Sequence, residues 1–429
     1  MSKQQSRKKV GKPNAVLYFL VYILLYPILK IFFRLKVDRK NYKPPKGPFV
    51  VISNHKSFMD FLLVMLTVYP RRLNAVAAQK FFLYKPLNKL LPVMGAIPKN
   101  LFDPDIRSII GIKTVIKRGG RILLFPEGRC TVHGPYMGMH KTTGNLIKNL
   151  GVPVISCNIE GAYICIPFWR KKLRFGKERV TLANLLTAED VKSMPTYEIN
   201  AAIDKSLSGL NVSAPKKPFR TFRARRLIEG LETIIYYCPK CGREFTLETK
   251  GNIIYCKSCG NTATMNRYAK LIPGKDSIVP ESVDKWYKEQ AIYETQFLKD
   301  DMEPLKIQVT VRMPLREGMG IEPCGTGTLW LDPKGWHYDG ELLGEIVNLF
   351  FPIETVPAMP FDPNDNFQIY SDGKFYSFTP DDAKTCAKYA TIGECAYWRF
   401  AKPSQMTPGY DSGFCGGFTG TEAVNINMK

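Results

Sequence analysis

At 429 residues, with 45% hydrophobic and 23% charged side chains, the chain is too long for one small module and too polar for a polytopic membrane protein. Its 61 Lys and Arg against 38 Asp and Glu give a net charge of +23, which points to an anionic partner. That excess is confined, because residues 1–230 hold 41 basic and 12 acidic side chains (+29) and residues 231–429 hold 20 and 26 (−6).

Eleven cysteines, an odd number with four of them between Cys238 and Cys259, argue against a disulfide-stapled secreted chain and for a reducing environment. Near the N-terminus, Lys3, Arg7, Lys8, Lys9 and Lys12 precede an apolar run from Ala15 to Leu29, and Lys30, Arg34, Lys36, Arg39 and Lys40 follow it. Fifteen helical residues reach roughly 22 Å, short of a hydrocarbon core of about 30 Å, and no small-residue cleavage site follows. Basic flanks on both sides suit a helix lying in a membrane interface, with anionic lipid as its partner.

From Pro44 onward, strand-like and helix-like runs alternate. Phe49–Ile52 reads as a strand and Phe61–Tyr69 as a helix; Leu73–Ala78 is a strand, Phe81–Leu91 a helix and Val93–Ile97 a strand. Asp103 is expected to cap a helix that has Pro104 at its first position and ends at Gly119-Gly120. Arg121–Phe125 is then a strand, a helix covers about 138–150, and Val152–Ile159 is a further strand. Such alternation predicts an α/β fold, a mostly parallel sheet with crossover helices. Its strand ends would gather His55, Lys99 and Glu127 in one crevice.

A histidine followed five residues later by an aspartate can have one ring nitrogen fixed by the carboxylate, leaving the other to accept a proton. His55 and Asp60 fit such a pair. Asn54-His55-x4-Asp60 and Phe125-Pro126-Glu127-Gly128-Arg129, about 70 residues apart, resemble the two diagnostic motifs of the glycerolipid acyltransferases, of which the 1-acylglycerol-3-phosphate acyltransferases are typical. The resemblance covers roughly residues 15–210 and includes weaker blocks at Gly95-Ala96-Ile97-Pro98-Lys99 and Val152-Pro153-Val154-Ile155.

This resemblance implies that His55 with Asp60 deprotonates a lysophospholipid hydroxyl, which attacks the thioester of acyl-ACP or acyl-CoA. It implies that Lys99, Glu127, Gly128 and Arg129 form the acceptor-binding site, and that no catalytic metal or acyl-enzyme is required. Two positions depart from the family pattern: Lys99 stands where arginine is common, and Arg129 follows Gly128 directly. The direct Gly-Arg form is similar to acyltransferases acting on 2-acylglycerophosphoethanolamine, so the acceptor is 1-acylglycerol-3-phosphate or a lysophosphatidylethanolamine. The structural alternatives are that Asp60 only caps its helix, that Glu127 pairs with Arg129 and that Lys99 is solvated. His133, His140 and His337 are read as structural.

Cys238-Pro-Lys-Cys241 and Cys256-Lys-Ser-Cys259 form C-x2-C-x14-C-x2-C, a zinc ribbon whose four thiolates leave no open coordination position, so the zinc is structural. Ala214–Pro218 reads as a linker and Phe219–Leu227 as a basic aromatic segment. From about Leu305 the period turns to two, with hairpins at Thr328–Leu331/Trp336–Tyr338 and Phe367–Tyr370/Phe375–Phe378, closed by a helix over Ala383–Phe400.

The expected organisation is a membrane-associated helical segment (1–43), an acyltransferase domain (44–211), a basic linker or helix (212–235), a zinc ribbon (236–265), a β-rich domain similar to a pleckstrin-homology module (290–402) and a flexible tail (403–429). The expected location is the cytoplasmic face of a membrane. A zinc-ribbon nucleic-acid-binding protein is the competing class, disfavoured because the ribbon lies in the −6 half.

Overall fold

The computed structural model describes residues 10–102, 105–170, 172–208, 219–221, 225–315 and 319–401. The expected cap at Asp103, the linker 214–218 and the tail 403–429 lie outside them.

The first half opens with α1 (Ala15–Phe32), capped by the Asn14 side chain accepting from the Leu17 N–H at 2.9 Å. There follow β1 (Lys36–Asn41), β2 (Phe49–Ser53), α2 (Asp60–Val68), β3 (Asn74–Ala78), α3 (Leu87–Val93), β4 (Ile97–Lys99), α4 (Ile106–Lys117) and β5 (Arg121–Leu124). Next come α5 (Thr142–Leu150), β6 (Val154–Glu160), α6 (Ala162–Cys165), β7 (Arg179–Leu186), α7 (Ala188–Ser193) and α8 (Thr196–Leu207). The sheet order is β1-β7-β6-β2-β5-β3-β4. Strands β6, β2, β5, β3 and β4 are mutually parallel, while β7 runs antiparallel to β6 and carries β1 beside it.

Strand β2 shows why this sheet is two-sided. All five of its residues are buried, and successive side chains leave on opposite faces. Phe49 and Val51 pack with α1 and α2, whereas Val50 and Ile52 pack with Ile112 and Val115 of α4, Ile147 of α5 and Ile199 of α8. The sheet is therefore sandwiched between helical layers, and the loops after β2 and β5 emerge side by side.

Two local expectations are corrected. The chain is helical through Val93 and Gly95 turns it at a φ of +72°, so the strand expected at 93–97 begins only at Ile97. The cap of α4 is Asp105, whose side chain accepts from the Ser108 N–H at 3.0 Å.

The second half holds an antiparallel sheet of β8 (Leu247–Lys250), β9 (Ile253–Cys256), β10 (Thr262–Met265) and β11 (Leu271–Pro273), and then α9 (Val283–Thr295). Beyond it lie β12 (Leu305–Met313), β13 (Glu322–Asp332), β14 (Gly335–Leu342), β15 (Glu345–Pro352), β16 (Phe361–Asp362), β17 (Asn366–Ser371), β18 (Lys374–Pro380) and α10 (Cys386–Ala396). These last seven strands form one antiparallel sheet in the order β15-β14-β13-β12-β18-β17-β16. Strand β15 has no counterpart in the sequence reading: its alternation carries exposed Ile346 and Phe350, so hydrophobicity does not mark one buried face. Leu227, Ile228, Leu231 and Ile234–Tyr236 are buried in one core with the cysteine ribbon, α9, α10 and the large sheet. That core also takes in Val132 and Trp169 from the first half.

Candidate active site and metal centre

The loop after β2 is held by Asn54, whose buried amide accepts from the Ile159 N–H at 2.8 Å and donates to the Ile159 carbonyl at 3.0 Å. This cross-strand clamp fixes the residue before His55 to the end of β6. His55 Nδ1 lies 3.1 Å from Asp60 Oδ2. Asp60, the first residue of α2, is fully buried and also accepts from the Ser57 N–H (2.8 Å), the Ser57 hydroxyl (2.6 Å) and the Lys56 N–H. With every oxygen engaged, the carboxylate is a rigid acceptor that orients the imidazole.

The His55 ring stacks on Phe125 at 4.3 Å between centroids. Cys130 Sγ stands 3.4 Å from Nε2 and 3.5 Å from Nδ1, and this near-equality places the sulfur over the ring instead of in line with the Nε2 lone pair. Burial acts to lower the His55 pKa, but Cys130 and Asp60 act to raise it, and the net shift is well above the ordinary imidazole value.

Glu127 is 4% exposed, and its two oxygens accept from the His55 N–H at 2.6 Å and the Met137 N–H at 2.9 Å. The residue ties the two loops together. Burial raises its pKa, opposed by Lys56 and by those two N–H groups. Gly128 turns the chain at a φ of +75°, its N–H donating to the Phe125 carbonyl at 3.0 Å, a backbone shape that glycine adopts without strain. Thr131 N–H then returns to the His55 carbonyl at 2.9 Å.

Arg129 reaches the second half: its guanidinium makes a two-pronged pair with Glu394 of α10, one prong at 2.7 Å, and both side chains are under 10% exposed. Glu394 also accepts from the Met359 N–H at 3.1 Å. Lys99 ends β4 and, with Lys141, bears electrostatically on His140, whose pKa falls through burial first and these two cations second. The structure thus brings His55, Asp60 and Glu127 together, sets Lys99 with Lys141 and His140, and turns Arg129 to the second half. Among the other histidines, His133 stacks on Tyr287 and His337 on Trp330.

Sequence reasoning gave no role to Cys130, Asn54, Lys56 or Glu394, although Asn54 opens the first motif. Lys56 Nζ donates to the Gly134 carbonyl at 2.8 Å and faces Glu127. Adjacency to the motifs marked the first three, whereas nothing local marked Glu394. At the mouth, Phe58 and Phe61 flank Asp60 and are 60% and 43% exposed, an apolar lip.

The four ribbon cysteines bring their sulfurs within 4.8 Å of one another, with Cys238–Cys259 and Cys241–Cys256 each at 3.8 Å. A tetrahedral thiolate site with metal–sulfur bonds of about 2.3 Å has edges of about 3.8 Å, so the set fits a metal ion. Gly242 and Gly260 adopt φ of +69° and +71°, and the N–H groups of Lys240 and Cys241 face the Cys238 sulfur while those of Ser258 and Cys259 face Cys256.

Residues 34–160 match the family model described as Acyltransferase. A 1-acyl-sn-glycerol-3-phosphate acyltransferase of Chlamydomonas reinhardtii is 23% identical over 160 residues, 35% of this chain and 46% of that protein. A 1-acyl-sn-glycerol-3-phosphate acyltransferase of Bacillus subtilis (strain 168) is 22% identical over 174 residues, 40% of this chain and 84% of that protein. The chain thus spans just under half of the algal relative and most of the bacterial one. The crystal structure of the 1-acyl-sn-glycerophosphate (LPA) acyltransferase PlsC from Thermotoga maritima is similar over 47% of this chain and 82% of its own, with 19% identity and a TM-score of 0.40. Residues 34–160 thus match an acyltransferase domain, and this part of the chain is similar to the 1-acyl-sn-glycerol-3-phosphate acyltransferases.

Proposed function

We propose that this protein transfers a fatty acyl group from an acyl-ACP or acyl-CoA thioester to the free hydroxyl of a lysophospholipid, 1-acylglycerol-3-phosphate being the acceptor that its relatives' names point to. The observation that carries this reading is the 3.1 Å contact between His55 and a buried, fully hydrogen-bonded Asp60. With Nδ1 engaged, Nε2 takes the acceptor's hydroxyl proton as the oxygen attacks the thioester carbonyl. The tetrahedral intermediate then expels the thiolate, and the imidazolium returns the proton to it. Glu127 acts as a positioning residue for the His55 loop, and Lys56, Lys99 and Lys141 supply the positive field for the acceptor's phosphate.

A lysophosphatidylethanolamine acceptor is the second reading. It is favoured by the Arg129–Glu394 pair, which neutralises a cation expected to meet a phosphomonoester.

Helix α1 is apolar and long enough to cross a membrane by length and composition, but one face packs on the body. Tyr18 is buried and Tyr22 stacks on Tyr69 at 4.0 Å, whereas Val16, Leu24, Ile28 and Ile31 are exposed. That one-sidedness supports a helix lying in one leaflet, and the cytoplasmic face is the side we propose for it. The ribbon's metal is structural zinc. The strand order of the large sheet, with each of its first four strands beside the next, the seventh beside the first and a helix at the end, supports the pleckstrin-homology-like reading.

Purified protein is expected to acylate 1-acylglycerol-3-phosphate or 1-acylglycerophosphoethanolamine when supplied with acyl-ACP and acyl-CoA in parallel. Undiminished turnover in His55→Ala would remove the proposed base.

A further inference from the structure

At the opposite end of the parallel strands from His55 lies a cavity of about 160 Å³ lined by Lys12, Arg72, Asn74, Arg118 and Arg121 together with Pro13 and a glycine pair. Arg121 opens β5, the strand whose far end leads to Glu127, so about 13 Å of strand separates the cavity from the site loops. Four cations face one space, none of the lining residues is acidic, and none of the four makes an ion pair with any described residue.

Backbone contacts hold this set in place. Arg72 donates to the Pro13 carbonyl at 2.6 Å, and Arg118 donates to the carbonyls of Val10 and Gly11. Asn74 donates to the Gly11 carbonyl at 2.9 Å and the Gly95 carbonyl at 2.6 Å, so the chain entering α1 is stitched to the cavity wall. The Nε atoms of Arg118 and Arg121 are nevertheless buried without a hydrogen-bond partner. Burial first, then Arg71 and Arg72, lower the Arg121 pKa, the signature of like charges crowded together.

Four cations around one space, without an ion-pair partner among the described residues, are stabilised by an anion that accepts several hydrogen bonds at once, and a phosphate oxygen set does this with two-pronged geometry at guanidinium groups. We propose that this cavity binds the phosphate group of an anionic ligand, whether in a phospholipid headgroup or in a soluble phosphate. The cavity adjoins the N-terminus of α1, whose exposed apolar face would bring headgroups to it. The inference does not depend on the acyl-transfer reading.

The test compares the full chain with Arg121→Gln and Lys12→Gln/Arg121→Gln. Two measurements are made: co-sedimentation with phosphatidylcholine vesicles with and without phosphatidylglycerol, and thermal melting with and without inorganic phosphate. A control, Lys113→Gln/Lys117→Gln, removes two exposed charges of α4 outside the cavity.

The expected result is roughly fivefold weaker binding to the anionic vesicles for each cavity charge removed, with the control near wild type and Arg121→Lys restoring much of the loss. If phosphate raises the melting temperature of the wild type but not of the variants, and vesicle binding is unchanged, the ligand is a soluble phosphate. The converse assigns a headgroup. Wild-type behaviour of the cavity variants in both measurements, or an equal loss in the control, overturns the proposal. Should Arg121→Gln fail to fold, Lys12→Gln, at an exposed position that donates no hydrogen bond to a described residue, carries the same comparison.

Discussion

The chemistry of the candidate site rests on one imidazole held from three sides: Asp60 at Nδ1, Phe125 against the ring and Glu127 at its backbone N–H. Because the folded-state pKa of His55 is raised, the neutral base accumulates only at a pH above the ordinary imidazole value. The rate should therefore climb through that region as pH rises. Asp60→Asn removes one charge that raises the pKa, so the rising limb of the kcat/KM profile is expected to move to lower pH. The same change leaves the wrong tautomer favoured, and kcat is expected to fall by about 10²-fold or more. A profile unmoved from wild type would deny Asp60 its electrostatic part. This pair was legible in the sequence because its parts are five residues apart and joined by the short turn that leads into α2. Lys99 was legible only as a cation at a strand end, since its surroundings come from the separate His140–Lys141 segment.

At the scale of elements, alternating strands and helices were readable wherever a segment had one clear period, as in α4 or β5. Where apolar side chains stand exposed the reading slipped, as at the 93–97 turn, where Val93 is exposed, and at β15, whose outward Ile346 and Phe350 blur the alternation. The cysteine knuckles were legible because metal geometry demands their spacing. What the spacing did not reveal is that Tyr236, beside the first knuckle, donates to Glu294 of α9 at 2.8 Å, and that Gln290 of the same helix accepts from the Tyr236 N–H at 2.8 Å. A metal held by the four cysteines would therefore steady more than its own loops. Chelation, or Cys238→Ser, is expected to remove much of a binding free energy of about 10–16 kcal/mol from a core that includes α9, α10 and the large sheet. Circular dichroism should show loss of tertiary signal across this half, restored by added zinc. Retention of the full signal after complete chelation would assign the cysteines no structural metal.

Across the whole molecule, the +29 and −6 halves share a core and are joined at several further points. Phe102 meets Tyr370, Phe168 meets Phe361, Lys80 donates to Gln368 at 3.1 Å, and Arg129 pairs with Glu394. The last of these takes a residue from the acyltransferase motif and buries it against a helix 265 residues away, a pairing no local pattern can disclose. Buried ion pairs are poor net stabilisers against apolar replacements, but removing one partner leaves an uncompensated charge and costs about 3–5 kcal/mol.

If Arg129 fastens the halves together, Arg129→Ala should lower the melting temperature sharply while the KM for acceptor in the remaining folded enzyme stays near wild type. Arg129→Met/Glu394→Leu, which removes both charges and keeps much of the volume, should recover most of the stability. If Arg129 instead binds acceptor phosphate, Arg129→Ala should raise KM for 1-acylglycerol-3-phosphate more than for 1-acylglycerophosphoethanolamine, with little change in melting. Glu394→Gln separates the cases further: freeing the guanidinium should improve the phosphomonoester acceptor selectively only if that side chain reaches it.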